Sequence, residues 1–201
     1  MTAVQPHEYA VRARHERFRG SMFRVVSDEV AMPGGGYAVR DYLVHIGSVG
    51  VVALDEAGRV VLIRQYRHPV GRELWELPAG LVDVAGESLV ATAARELAEE
   101  ADLTAARWNL LLDAHLSPGC SREVIRLFLA RDLAPVPAGE RHTREHEEAR
   151  LVVERVDLDE AVRMALGGEI TNAACLVGVL AAARARDGGW VQLRPADTPP
   201  I

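Results

Sequence analysis

Three glutamates, Glu96, Glu99 and Glu100, stand three and four residues apart in the run Arg95-Glu-Leu-Ala-Glu-Glu100. On a helix that spacing puts them on one face, with Glu96 one turn from Glu100. Like charges so placed repel, by about 0.2–0.5 kcal/mol per pair in an isolated helix. A divalent cation reverses the sign of that interaction. Mg²⁺ takes oxygen ligands, typically one or two carboxylates together with substrate phosphates. The chemistry these residue types point to is therefore metal-assisted handling of a phosphate-bearing substrate. The fragment alone also describes a solvated charged face, so the surrounding chain has to separate the two readings.

The elements that must position the acids are legible around them. Gly80 to Glu87 reads as a glycine loop, and Ser88 to Ala101 as a helix. Val90, Ala93, Ala94, Leu97 and Ala101 fall on the arc beside the acids and can pack on a core. Upstream, Ser21–Met32 and Tyr37–Ile46 read as two strands of a hairpin around the turn signal Pro33-Gly-Gly-Gly36. The polar, arginine-rich residues before them read as a frayed N-terminus. Strands are expected at 50–54, 59–66, 108–115, 123–131 and 149–156, and helices at 158–167 and 172–186, followed by a loose Pro-rich tail. This order suits an α/β sandwich. The expected domains are an N-terminal β region at 1–46 and a main domain at 47–201.

Composition narrows the function classes. The 201 residues carry a net charge of −6, which gives no reason to expect a nucleic-acid or membrane-surface partner. All 23 basic residues are arginine. Cys120 and Cys175 match no metal or redox spacing. No signal peptide and no apolar run long enough to span a membrane is found, so the expected location is cytoplasmic.

The stretch Gly80–Leu103 resembles the Nudix box, in which a glycine, a glutamate and an Arg-Glu-aliphatic-x-Glu-Glu segment recur at fixed spacing. Seven residues separate Glu87 from Arg95, as in the box. Two departures stand out. Six residues, where the box has five, separate Gly80 from Glu87, and Asp102 occupies the position of a glycine. The first lies in a loop, where extra length is tolerated. The second falls where a left-handed residue would cap the helix, a conformation that Asp is among the few non-glycine residues to adopt. The resemblance implies a Nudix-type fold, a mixed sheet between helices, with the N-terminal hairpin as an extra antiparallel sheet for homodimerisation.

Three features are similar to the ADP-ribose pyrophosphatase subgroup: Trp75-Glu-Leu-Pro-Ala-Gly80, Pro118 at 15 residues beyond Leu103, and the N-terminal hairpin. The resemblance implies Mg²⁺-dependent hydrolysis of ADP-ribose to AMP and ribose 5-phosphate, with Mn²⁺ or another divalent ion as a possible substitute. Glu96 and Glu100 are then direct metal ligands, Glu99 a weaker one, and the Ala79 carbonyl a fourth. Arg95 would hold the glutamates in place, and Glu87 would have a structural role in the loop. Metal-bound glutamates make poor proton acceptors, because nearby positive charge depresses their pKa. The subgroup takes its base from a later loop, where Glu148 is the first candidate here and Glu147 the second. Arg67 matches a phosphate contact. Arg40 and Phe23 are candidates for holding the adenine, and Glu123 for the terminal ribose. The alternatives are another nucleotide sugar, such as ADP-glucose or GDP-mannose, or a non-catalytic nucleotide-sensing Nudix-like module.

Overall fold

The structure, a computed structural model, describes residues 8–144 and 149–201. The chain divides into two compact units, Met1–Gly47 with His115–Glu123, and Ser48–Ala114 with Val124–Ile201.

The first unit is built on an antiparallel sheet of β1 (Val11–Arg19), β2 (Phe23–Ala31) and β3 (Tyr37–His45), in that order. The Pro-Gly turn between β2 and β3 holds Gly34, Gly35 and Gly36 at φ 85°, 96° and 84°, a region glycine enters without steric cost. β1 corrects the expectation of a frayed N-terminus. Its residues are almost all exposed and show no apolar period, so pattern reading passes over it. Polar cross-strand pairs hold it. Arg14 lies directly opposite Asp28 and donates to both carboxylate oxygens, each at 2.7 Å. Tyr42 on β3 donates to the same carboxylate at 2.8 Å. The segment His115–Glu123 joins this unit through Leu43, whose N–H donates to Cys120 O and whose carbonyl accepts from Arg122 N–H.

The second unit contains a mixed five-stranded sheet, ordered β11-β8-β9-β4-β7. Its strands are β4 (Ser48–Ala53), β7 (Ala79–Leu81), β8 (Leu103–His115), β9 (Val124–Pro135) and β11 (Arg194–Pro195). β4 runs parallel to β9 and antiparallel to β7. A second, three-stranded sheet sets β5 (Arg59–Arg67) between β10 (Val152–Asp157) and β6 (Arg72–Glu76). The helices are α1 (Leu89–Ala101), α2 (Leu158–Gly167) and α3 (Ala173–Asp187).

Alternation along the central strands explains the layers. Side chains of a strand point to opposite faces in turn. Val49, Val51 and Ala53 of β4 and Phe128 and Ala130 of β9 pack with Ala93, Leu97 and Ala101 of α1. The intervening residues Val52 and Leu127 lie under α3, so close that a Cβ on Gly178 would come within 2.6 Å of Leu77 Cδ1 and 3.1 Å of Val52 Cγ2. Both faces of β4 and β9 are thus covered by helices, which is why these strands read as continuous apolar runs rather than alternating ones. The result is an α/β/α sandwich, the layering expected from the order of the elements.

The tail is not loose. β11 pairs with Asn109 and Leu110 of β8. Arg126 is buried on β9, where it forks onto Asp113 at 2.6 and 3.0 Å. A guanidinium has five donors, more than one carboxylate accepts. Arg126 gives others to the carbonyls of Thr198, at 2.6 Å, and Pro199, at 3.0 Å, which pins the last residues to the sheet.

Candidate active site

The site is assembled where β7 hands over to α1. Ser88 caps the helix, its side chain accepting from Ala91 N–H at 3.3 Å. The helix ends at Asp102, whose φ of 54° and ψ of 36° are the left-handed cap expected at that position. Between these stops the apolar arc sinks Ala93, Leu97 and Ala101 into the core, and the orientation of the acids follows.

The three glutamates are not equivalent. Glu100 is buried and accepts the Ala79 N–H at 2.8 Å, which ties helix to strand. Glu96 packs its carboxylate against Gly80, and a Cβ on Gly80 would overlap that carboxylate. The glycine of the box is therefore required here by close approach, not by backbone conformation. Glu99 is the more open of the three, its side chain 32% exposed against 12% for Glu96. Two carboxylates thus converge on the two-residue piece Ala79–Gly80.

Arg95 binds the cluster together. Its guanidinium reaches Glu96 at 2.6 Å, Glu99 at 3.2 Å and Glu87 at 3.3 Å, with Asp83 at 3.7 Å. Thr92 adds a hydroxyl donor to Glu87 at 2.9 Å. Hydrogen bonding from Arg95 and Thr92 holds the Glu87 carboxyl below its ordinary pKa, as suits a structural acid. Glu96 goes the other way. Burial pushes its carboxyl up, with Glu99 and Asp83 adding to the push, and Arg95 offsets only part of it. A buried carboxylate in negative surroundings favours any cation that reaches it.

Among the described residues no group of three His, Cys, Asp or Glu side chains forms a ready cage for a metal ion. Arg95 occupies Glu96 and Glu99, and Ala79 N–H occupies Glu100. The donor chemistry nevertheless fits a hard divalent cation: carboxylate oxygens, converging beside a strand, with positive charge in short supply.

Arg67, on β5 in the same unit, forks onto the buried Glu76 of β6 at 2.9 and 2.7 Å. Glu76 escaped the sequence reading. The signal was present in Trp75-Glu76-Leu77, an acid amid apolar residues facing a strand with an arginine. Phe23, Arg40, Pro118 and Glu123 lie in the first unit. Phe23 on β2 sets its ring 6.0 Å from that of Phe18. Arg40 on β3 is exposed and donates to Val39 O at 2.9 Å. Pro118 sits in a turn closed by Cys120 N–H and Ser121 N–H, both donating to Ser117 O. Glu123 Oε1 stands 3.9 Å from His45 Nδ1. Glu147 and Glu148 lie outside the described residues.

The sequence matches the NUDIX domain over residues 44–174. This chain belongs to the Nudix family. Nudix hydrolases generally use divalent metal ions, in keeping with the donor set on α1. Among relatives of the chain, an ADP-ribose pyrophosphatase of Mycobacterium tuberculosis is 44% identical over 192 residues, covering 96% of this chain and 91% of that one. An ADP-ribose pyrophosphatase of Bacillus subtilis is 31% identical over 162 residues, covering 80% and 85%. A crystal structure described as an ADP compounds hydrolase superposes with a TM-score of 0.80 over 94% of this chain and 98% of that one. At 20% identity it speaks for the Nudix fold alone.

Proposed function

We propose that this Nudix protein hydrolyses the pyrophosphate of ADP-ribose, giving AMP and ribose 5-phosphate, with Mg²⁺ as its metal. The observation that carries the reading is the 44% identity along nearly the whole chain to an ADP-ribose pyrophosphatase, combined with an intact set of acids on α1. In this reading Glu96 and Glu100 hold the metal directly, Glu99 is a weaker ligand, and the Ala79 carbonyl completes the set. Bound there, Mg²⁺ would neutralise pyrophosphate charge and acidify a water. Arg95 keeps the carboxylates oriented, Gly80 leaves room for Glu96, and Arg67 grips a phosphate. Glu148, with Glu147 as second choice, accepts the proton of the attacking water. One water oxygen bonds to phosphorus, one bridging P–O bond breaks, and the water's proton goes to the carboxylate. Arg40 and Phe23 hold the adenine, Pro118 shapes the loop, and Glu123 meets the terminal ribose. The sheet β1–β3 pairs two copies of the chain as a homodimer. A cytoplasmic location accords with the finding that no helix among the described residues is long and apolar enough to cross a membrane.

The deciding experiment incubates the protein with ADP-ribose, ADP-glucose and GDP-mannose, each with and without Mg²⁺, and identifies products. AMP and ribose 5-phosphate from ADP-ribose in Mg²⁺ are expected. Faster turnover of another nucleotide sugar would reassign the substrate, and no turnover of any would favour a sensor. For the base, Glu148→Gln should lower kcat by about 10²–10⁴-fold, the usual contribution of general base catalysis. Glu147→Gln should be milder. A crippled Glu147→Gln beside a normal Glu148→Gln would move the role by one residue.

A further inference from the structure

Glu76 is a buried carboxylate at a place where the fold alone does not require one. On β6 it is paired in register with Ile63 of β5. Gln65 and Arg67 stand two and four residues further along β5, on the same face as Ile63. The Glu76 side chain, only 4% exposed, collects donors from both. Arg67 gives Nε to Oε1 at 2.9 Å and Nη2 to Oε2 at 2.7 Å, and Gln65 gives Nε2 to Oε2 at 3.5 Å. The two strands are already joined by their backbone ladder, from Ile63 opposite Glu76 to Arg67 opposite Arg72. Burying a carboxylate costs solvation that its ion pair does little more than offset, so as a brace the pair adds little that apolar residues would not. What the fork does provide is orientation. Two parallel bonds to one carboxylate fix the plane of a guanidinium. The Arg67 side chain meanwhile stays 44% exposed. The chain then leads straight to the acids. Ala79 lies three residues beyond Glu76, at most about 11 Å away in a fully extended chain. Glu100 accepts its N–H, and Glu96 packs on Gly80 next to it.

We infer that Glu76 is a positioning residue, which holds the Arg67 guanidinium ready for a phosphate of the substrate. The inference rests on the reading of Arg67 as the phosphate grip. With Glu76 in place, binding does not have to order a long flexible side chain, because the fork has already done so. The same carboxylate lowers the net positive charge offered to a phosphate. Orientation and charge therefore make opposite predictions for its removal, and the sign of the change separates them.

The test compares Glu76→Gln, Arg67→Lys and their combination with the parent full-length chain. Glu76→Gln keeps the shape and drops the charge, whereas Arg67→Lys keeps the charge and drops the fork. Calorimetry gives Kd for ADP-ribose without divalent ions, kinetics in Mg²⁺ give kcat and KM, and melting gives Tm. Glu76→Gln leaves no unpaired charge in the interior, so its Tm should stay within about 4 °C. Its Kd should rise by about 2- to 10-fold, as expected when one rotamer-rich side chain must be immobilised on binding, and kcat/KM should fall at least as far. Arg67→Lys should weaken binding at least as much, and Glu76→Gln added to it should bring no further loss, as for residues acting as one unit. An unchanged or lower Kd in Glu76→Gln overturns the inference. So does a further loss in the double variant, or a loss that merely follows Tm. If Arg67→Lys binds and turns over like the parent, the grip reading fails and this inference falls with it. If Arg67→Lys is impaired and Glu76→Gln is not, the grip stands and only its positioning by Glu76 fails. A parent that does not bind ADP-ribose overturns both.

Discussion

Two networks of arginine and carboxylate, one in each unit, use the same chemistry to opposite ends. On the N-terminal sheet one guanidinium, Arg14, serves one carboxylate, Asp28, with the Tyr42 hydroxyl as a further donor. Midway along α1 one guanidinium, Arg95, is divided among Glu87, Glu96 and Glu99, with Asp83 nearby. The first network is complete, and Asp28 is held below the ordinary aspartate pKa by Arg14 above all, despite its burial. The second lacks positive charge, and Glu96 is pushed up by its burial. The difference lies in how the guanidinium is shared: Arg14 is committed to one carboxylate, whereas Arg95 is spread over three, so that Glu87 is held down while burial pushes Glu96 up.

The largest effects should come from the incomplete network. Glu96→Gln and Glu100→Gln each remove a charged donor at nearly constant shape, and turnover in Mg²⁺ should drop at least about 100-fold. Without divalent ions, Glu96→Gln should melt no lower than the parent, because a buried, poorly compensated charge has gone. A clear fall in its metal-free Tm would mean that this network is a brace as well.

Gly80→Ala sharpens the same point. The added methyl displaces the Glu96 carboxylate, so kcat should fall by about 10- to 100-fold. Normal activity in that variant would show that Glu96 has another working position.

The complete network should answer in stability alone. Asp28→Asn should cost about 1.5–3 kcal/mol, the usual worth of a hydrogen bond to a charged group, seen as a lower Tm with kcat per folded molecule unchanged. Equal Tm for variant and parent would break the comparison from this side.

The smallest effect is a pH dependence. A carboxylate whose pKa is lower folded than unfolded contributes stability above its unfolded pKa, and that contribution is lost as pH falls through the folded value. Asp28 should therefore add an acid-side slope to the parent below about pH 4 that Asp28→Asn lacks. Parallel Tm curves for the two proteins across that range would contradict it.

Much of the site was legible because α1 is self-contained. Ser88, the apolar arc and Asp102 fix its ends and its rotation from neighbours in sequence, and the spacing of the glutamates does the rest. What escaped reading depends on partners carried by other elements. Glu76 acquires meaning only opposite Arg67, and Arg144 only against the end of a helix more than forty residues earlier. β1 escaped for a different reason. Its stability comes from charge pairs across strands, so the apolar alternation that announces a half-buried strand is missing.

The Arg126 clasp bears on how the protein is made. Asp113, 13 residues upstream, is already available when Arg126 is synthesised, but the carbonyls of Thr198 and Pro199 arrive 72 and 73 residues later. Domains fold from the N-terminal side as synthesis proceeds. Here β9, in the middle of the sheet, carries a buried cation whose hydrogen bonds are completed only by residues translated more than seventy positions later. Chains cut short before Thr198 would keep every residue of α1 and β7 and still bury an under-satisfied guanidinium, a defect that protein quality control would meet as a poorly closed core.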